Sequence, residues 1–218
     1  LTVNYNSEDF LKVLFKSIDP ITPIVVVENS HTPKKYPRAS TIVNQGEKTH
    51  GEGLNLGLKA VETEHVLILD VDCHIISSQW IKLFSKALEG YDVITVAGPP
   101  QKPIRPACVF MKTADAKKFD WRATPGYKGH RVTPEGFDVG IQAYRQMRID
   151  GFKIKYMTTI KPSRYGTLNG EEYSIDDVAL IYHHWHGSHL VERSSDYPDV
   201  DLLADKKKLL RQRTQLML

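Results

Sequence analysis

Asp70-Val-Asp72 closes a run of apolar residues and opens a polar one, and this pair has the strongest chemical character in the chain. Two carboxylates one residue apart at the end of a buried strand can share a divalent cation, directly or through water, and that cation can bridge two phosphates. A second cluster lies near the end of the sequence. Tyr182-His-His-Trp-His-Gly-Ser188 places three histidines within four positions. A neutral imidazole nitrogen is a good ligand for Mn²⁺ or similar ions and can complete a site begun by two aspartates. In an extended strand His184 and His186 share one face, and His183 falls on the other.

These groups need a scaffold, and the first third of the chain alternates β-rich and helical signals in the manner of a parallel sheet with crossover helices. A strand is expected at Leu1–Tyr5. Ser7 is then a candidate N-cap, Glu8 and Asp9 stand in a first turn, and Phe10, Leu11, Leu14, Phe15 and Ile18 recur at helical spacing before Asp19-Pro20 ends the helix. Ile24–Val27 is an unbroken β-branched run suited to a strand buried on both faces, and it ends at Glu28, Asn29 and Ser30. Further strands are expected at Thr41–Val43, Val66–Leu69 and Tyr91–Ala97, with helices at Gly53–Val61 and Ser77–Leu88. Gly98, Pro99, Pro100, Pro103 and Pro106 then break regular structure.

Beyond that break the spacing predicts a strand at Ala107–Met111, a mobile loop at Trp121–Thr133, a helix at Glu135–Ile149 ended by Gly151, a strand at Lys153–Met157 and a last strand carrying Tyr182–His186. Apolar pairs at Leu202/Leu203, Leu209/Leu210 and Leu216/Met217 repeat every seven residues and predict a C-terminal helix over 200–218. The 218 residues and 41% hydrophobic content suffice for one core. One α/β domain is therefore expected, with one half at 1–97 and a second at 98–199. A net charge of +3, from 29 basic and 26 acidic residues, excludes the strongly basic surface of a dedicated nucleic-acid binder. Cys73 and Cys108 are expected to be buried, reduced thiols, which places the protein in the cytoplasm. No apolar run approaches the length of a membrane span.

The segments Gly53-Leu-Asn-Leu-Gly-Leu-Lys59 and His65-Val-Leu-Ile-Leu-Asp-Val-Asp-Cys73 closely resemble the donor-binding half of the family 2 glycosyltransferases, which have the Rossmann-like GT-A fold. Other segments resemble that family in the same order. Thr2-Val-Asn-Tyr-Asn-Ser-Glu-Asp-Phe10 is similar to its first strand and helix, and Val25-Val-Val-Glu-Asn-Ser30 to its second strand end. Ala107-Cys-Val-Phe-Met-Lys112 is similar to the strand entering the acceptor half. Pro134-Glu-Gly-Phe-Asp-Val-Gly140 with Gly151-Phe-Lys-Ile154 resembles the catalytic helix and following strand. The resemblance implies a mostly parallel central sheet flanked by helices, with a nucleotide-sugar donor half followed by an acceptor half.

It also implies transfer of a sugar from a nucleotide diphosphate sugar, with a UDP-sugar as the expected donor and Mn²⁺ or Mg²⁺ as cofactor. Asn4 and Glu28 then contact the nucleoside, Asn55 lines the donor site, and Asp70 and Asp72 serve the ribose and the metal. His186, and after it His184, is the implied further ligand, and His183 is read as structural. Inverting transfer needs a carboxylate to take the acceptor hydroxyl proton. The family supplies it from a Glu-Asp pair opening a helix. Here Glu135-Gly136 stands in that place, so Glu135 is the expected base and Asp138 the alternative. The stretch with Trp121, Arg122, Tyr127, Lys128, His130 and Arg131 can stack on or hydrogen-bond to a polar acceptor. A glycan or glycosylated carrier is the favoured acceptor and a hydroxylated DNA base the other. A nucleotidyltransferase and a non-catalytic nucleotide-sugar-binding module are the competing functions.

Overall fold

A computed structural model describes residues 1–46, 49–97, 105–123, 139–160 and 170–184. Glu135, Asp138, Trp185, His186, the basic part of the 121–133 stretch beyond Arg122, and the expected helix at 200–218 lie outside them. The first strand, β1 (Thr2–Asn4), leads into α1 (Glu8–Ser17). Phe10, Leu11, Val13 and Leu14 are buried on α1 while Lys12 and Lys16 face water, the stripe expected of a helix lying on a sheet. Ser7 starts it through its carbonyl, which accepts from the Phe10 and Leu11 amides at 3.0 and 3.2 Å. Its hydroxyl does not cap the helix and instead donates to the Tyr5 carbonyl.

Strands β2 (Val25–Glu28) and β3 (Ser40–Val43) follow, then α2 (His50–Ala60), β4 (His65–Leu69) and β5 (Cys73–Ile75). Helix α2 begins a turn earlier than its apolar pattern suggests because the Thr49 hydroxyl accepts from the Glu52 amide. The next elements are α3 (Trp80–Leu88), β6 (Val93–Val96), β7 (Arg105–Lys112) and α4 (Thr113–Ala116). Last come α5 (Ile141–Ile149), β8 (Ile154–Ile160), β9 (Glu171–Ile175) and β10 (Val178–His183). Two expected helices start late. Ser77 forms a turn before α3, and Val139-Gly140 forms a turn before α5, with Gly140 at φ +78°. The expected helix over 135–149 is therefore corrected to one starting at Ile141.

Strands β1, β2 and β3 pair in parallel, with Val3 opposite Val27 and Val27 opposite Ile42. The Leu1 amine donates to the Leu67 carbonyl at 2.9 Å and the Leu69 amide to the Leu1 carbonyl at 3.0 Å, which is the parallel pattern and joins β1 to β4. The sheet continues in the order β4-β7-β6-β8. From β3 to β8 only β7 runs against the rest, so the central sheet is mostly parallel. Strands β9, β10 and β5 extend it as an antiparallel ribbon. Because β7 comes from beyond residue 97 and lies between β4 and β6, one sheet crosses that point in the chain.

Alternation along the strands sends side chains to two cores. Cys108 and Phe110 of β7 face the α1 and α3 side with Leu14 and Phe84, and Val109 and Met111 face the α2 and α5 side with Leu54 and Met147. Helix α2 sits unusually close to what it covers. A Cβ added at Gly51 would lie 2.5 Å from both Arg122 Cα and the Trp121 carbonyl oxygen. Trp121, expected in a mobile loop facing an acceptor, is instead fully buried beneath α2 and donates its indole N–H to the Ala116 carbonyl.

Candidate active site

The chain passes from β1 outward to β2 and β3, then returns to pair β4 on the other side of β1. The sheet therefore changes winding direction between β1 and β4, where open α/β sheets hold ligands beyond their carboxyl ends. Asn4 ends β1, Glu28 ends β2, and Asp70 and Asp72 follow β4 at that same edge.

Asn4 and Glu28, expected to touch a nucleoside, are both wholly buried. Asn4 Nδ2 donates to Glu28 Oε2 at 2.9 Å, the Tyr36 hydroxyl donates to the same oxygen at 2.6 Å, and the Ser30 amide donates to Oε1 at 2.8 Å. Asn4 Oδ1 in turn accepts from the Ser7 amide. Burial alone would push the Glu28 carboxyl up, but the bonds from Ser30, Tyr36 and Asn4 outweigh it and hold the group below its ordinary value. Asn4 and Glu28 thus brace the strand ends from beneath. Half-buried Tyr36 and exposed Tyr5 and His31 form the surface around them.

Asn55, expected to line the donor site, is also engaged within the chain. Its Nδ2 donates to Asp120 Oδ1 at 2.9 Å and its Oδ1 accepts from the Trp121 amide at 3.1 Å. Both ends of the amide tie α2 to residues 120–121. The Arg122 guanidinium and Asn55 hold the Asp120 carboxyl well below the usual carboxylate range.

The acidic pair divides between two environments. Asp70 is half-buried, and His50 at the start of α2 places Nε2 at 3.5 Å from its Oδ1. Asp72 is buried, and His183 Nε2 lies 3.4 Å from its Oδ1. Burial alone would lower the His183 pKa, but the adjacent Asp72 charge, helped by Asp70 and Glu171, raises it. Strand β5, which follows the pair immediately, creates this arrangement. It pairs with β10 so that His183 stands opposite Cys73 and Tyr182 opposite His74.

That register corrects the expectation for His184. Strand β10 ends at His183, so His184 stands just beyond the strand, and His186 lies outside the described residues. The His184 ring is buried with its Nε2 3.1 Å from His74 Nδ1, and its backbone amide donates to the Asp72 carbonyl. Among the described residues, Asp72, Cys73 and His183 bring possible ligand atoms within 4.8 Å of one another. The Cys73 thiol is pushed well up by burial and the neighbouring Asp72 charge, and it donates to the Ala107 carbonyl. A neutral thiol is a poor partner for a hard cation. The carboxylate and imidazole fit one better, since adjacent ligands about 2.1 Å from an octahedral ion stand about 3 Å apart. Both cysteines are free and buried, as expected.

His183, His50 and Tyr36 were not among the expected ligands or contacts. Of the three clustered histidines, pairing of β10 with β5 brings the first, His183, beside Asp72.

No protein-family model matches the sequence, and no curated protein is similar to it. The solved structures do contain likenesses. The crystal structure of S. aureus TarS aligns with a TM-score of 0.50 at 19% identity, covering 96% of this chain and 41% of that one. The chain has the fold of the part of TarS that it matches. This is the Rossmann-like GT-A architecture that the resemblance implied, with the β1–β4 switch at the carboxyl edge of its sheet. TarS 1-349 in complex with UDP-GlcNAc aligns at a TM-score of 0.48 and 18% identity over 96% of this chain and 69% of that one. The bifunctional IspDF from Campylobacter jejuni aligns at 0.42 and 17% identity over 71% and 42%. Among the described residues, no helix of this GT-A chain is long and apolar enough to cross a membrane.

Proposed function

We propose that the chain is a metal-dependent glycosyltransferase of family 2 that moves a sugar from a nucleotide diphosphate sugar to a hydroxyl acceptor. One observation carries this reading: Asp70 and Asp72 stand where the sheet changes winding direction, with His183 Nε2 3.4 Å from the Asp72 carboxylate. TarS, whose matched part shares the fold of the chain, is known in complex with UDP and with UDP-GlcNAc. That supports a UDP-sugar as the donor.

In this reading Asp70, Asp72 and His183 hold Mn²⁺ or Mg²⁺, which when bound neutralises the diphosphate as it departs. Asn4 and Glu28 brace the nucleoside end and present Tyr36 and Tyr5 to the donor. Glu135, with Asp138 as the alternative, takes the acceptor hydroxyl proton. The preferred acceptor is a glycan or glycosylated carrier, and hydroxylated DNA is an arm of the test. The turn after β1, Tyr5-Asn6-Ser7, has neither glycine nor a basic residue, whereas a nucleotidyltransferase would place a glycine-rich basic phosphate loop there.

A panel of UDP-, GDP-, ADP- and dTDP-sugars is to be screened with Mn²⁺ by thermal shift and by release of nucleotide diphosphate. One donor should stabilise the protein and release its diphosphate, faster with the matching acceptor when glycans and hydroxylated DNA are added in separate arms. Binding without release would leave a binding module, and pyrophosphate formed from a nucleoside triphosphate would indicate nucleotidyl transfer. No shift with any donor would overturn the proposal.

A further inference from the structure

Behind His183 lies a buried acid that the proposed function does not use. Glu171 stands directly opposite His183 in the β9–β10 ladder, and His183 stands directly opposite Cys73 in the β10–β5 ladder. Residues opposite one another in a ladder share a face of the sheet, and Tyr173, two residues beyond Glu171, shares it as well. The register therefore gathers Glu171, Tyr173 and His183 on one face beside Asp72. Slippage by one residue would turn the whole set away. All three are buried: Glu171 at 1% exposure, Tyr173 at 0% and His183 at 6%.

The contacts run in series. The Tyr173 hydroxyl lies 2.6 Å from His183 Nδ1 and 3.3 Å from Glu171 Oε2, while His183 Nε2 faces Asp72 Oδ1 at 3.4 Å. A bare Nε2 lone pair aimed at a carboxylate is repelled by it, so something electropositive must lie between them, a hydrogen or a cation. A cation can take that place only if the ring keeps its other hydrogen on Nδ1. A tyrosine hydroxyl has one hydrogen to give. If Tyr173 donated it to Nδ1, the ring hydrogen would be forced onto Nε2, where it would block a cation. A carboxylate is the stronger acceptor, so Glu171 draws that hydrogen to itself and turns the Tyr173 oxygen into an acceptor for Nδ1–H.

We propose that Glu171 and Tyr173 are positioning residues that fix the tautomer and ring plane of His183, so that Nε2 is the nitrogen presented to Asp72 and to a cation bound beside it. This rests on the cation-site reading given above. The relay runs from Nδ1–H to the Tyr173 oxygen, and from the Tyr173 hydroxyl to Glu171. Hydrogen bonds to the second nitrogen of a ligating histidine are worth roughly 10- to 100-fold in metal affinity.

The test compares wild type, Tyr173→Phe, Glu171→Gln and His183→Ala in the full chain. Mn²⁺ alone is titrated and free ion is followed by electron paramagnetic resonance. Long-range ¹⁵N–¹H correlations of the histidine rings are recorded with Mg²⁺. Wild type should show His183 protonated at Nδ1. Tyr173→Phe and Glu171→Gln should each weaken Mn²⁺ binding about 10-fold or more, and the His183 signals should move toward the Nε2-protonated form. If Tyr173→Phe does not fold, Glu171→Gln, which keeps the shape of the side chain, decides the matter. Wild-type affinity and tautomer in the relay variants, with weakened binding in His183→Ala, would overturn the relay and leave the cation site standing. Wild-type affinity in His183→Ala as well would overturn both.

Discussion

Glu28→Gln tests the buried brace between the ends of β1 and β2 most directly, because the consequence can be worked out bond by bond. The carboxylate accepts at both oxygens: from Ser30 N at Oε1, and from Asn4 Nδ2 and the Tyr36 hydroxyl at Oε2. Glutamine offers one accepting oxygen and one donating NH₂. With its oxygen in the Oε2 position, the NH₂ meets the Ser30 backbone N–H, which cannot turn away. With its oxygen in the Oε1 position, the NH₂ meets Asn4 Nδ2, and Asn4 cannot flip without giving up the bond from the Ser7 amide to its Oδ1. In either orientation a buried donor faces a donor, and the surviving bonds lose their charge. A lost buried partner costs about 1–3 kcal/mol and a charge-assisted bond exceeds a neutral one by about 1 kcal/mol, so the variant should lose about 2–4 kcal/mol at pH 7.

The pH dependence has a definite sign. The folded Glu28 carboxyl titrates below its ordinary value of 4.5. Its contribution is therefore complete above that value and is lost as pH falls through the folded one. Urea unfolding followed by circular dichroism at pH 7, 5, 4 and 3 should show a deficit in Glu28→Gln that is largest at pH 7 and shrinks below about pH 4. Equal stability at pH 7, or a deficit unchanged down to pH 3, would refute the assignment of an ionised acid braced by bonds from Ser30, Tyr36 and Asn4.

Asp72→Asn should abolish diphosphate release and weaken Mn²⁺ binding while the far-ultraviolet spectrum persists, because it removes charge at a strand end and leaves the Asp72 carbonyl for the His184 amide; wild-type turnover would end the cation reading. Gly51→Ala should cost about 1–3 kcal/mol in chemical denaturation, since its Cβ would press on the backbone of Trp121 and Arg122 rather than on a movable side chain. An unchanged unfolding midpoint would show that α2 can back away. Glu135→Gln should lower turnover about 100-fold or more with donor affinity held, as expected when only the proton-accepting step is lost. A parallel loss of donor affinity would reassign Glu135 to binding.

Elements with enough residues to show a period could be read from the sequence. The stripe of Phe10, Leu11, Leu14 and Phe15 gave α1, and the unbroken Val25–Val27 run gave β2, because in each a local pattern matches the burial that tertiary packing imposes. Boundaries set by single hydrogen bonds could not be read that way. The start of α2 depends on the Thr49 hydroxyl and the start of α5 on a glycine at positive φ, neither of which alters an apolar period. Trp121 misled for a related reason. Its neighbours are polar and lack periodicity, yet α2, contributing Gly51, Leu54 and Asn55, closes over it from some seventy residues earlier in the chain.

The same distinction explains which half of the site was legible. Asp70 and Asp72 declare themselves because the apolar run Val66–Leu69 of β4 must end where the carboxylates begin. The histidine beside them cannot be chosen by alternation within its own segment. That choice is made by β5, three residues long and too short to show any period, which pairs with β10 more than a hundred residues later. Once Cys73 lies opposite His183, the residue before Cys73 is carried to the His183 ring and His184 is turned toward His74. Two neighbouring histidines of the same chemistry thus acquire different partners through strand register alone. A substitution that shifts the β5–β10 register would exchange those partners without altering any residue of the acidic pair, and Mn²⁺ affinity would fall although every side chain expected to ligate was still present.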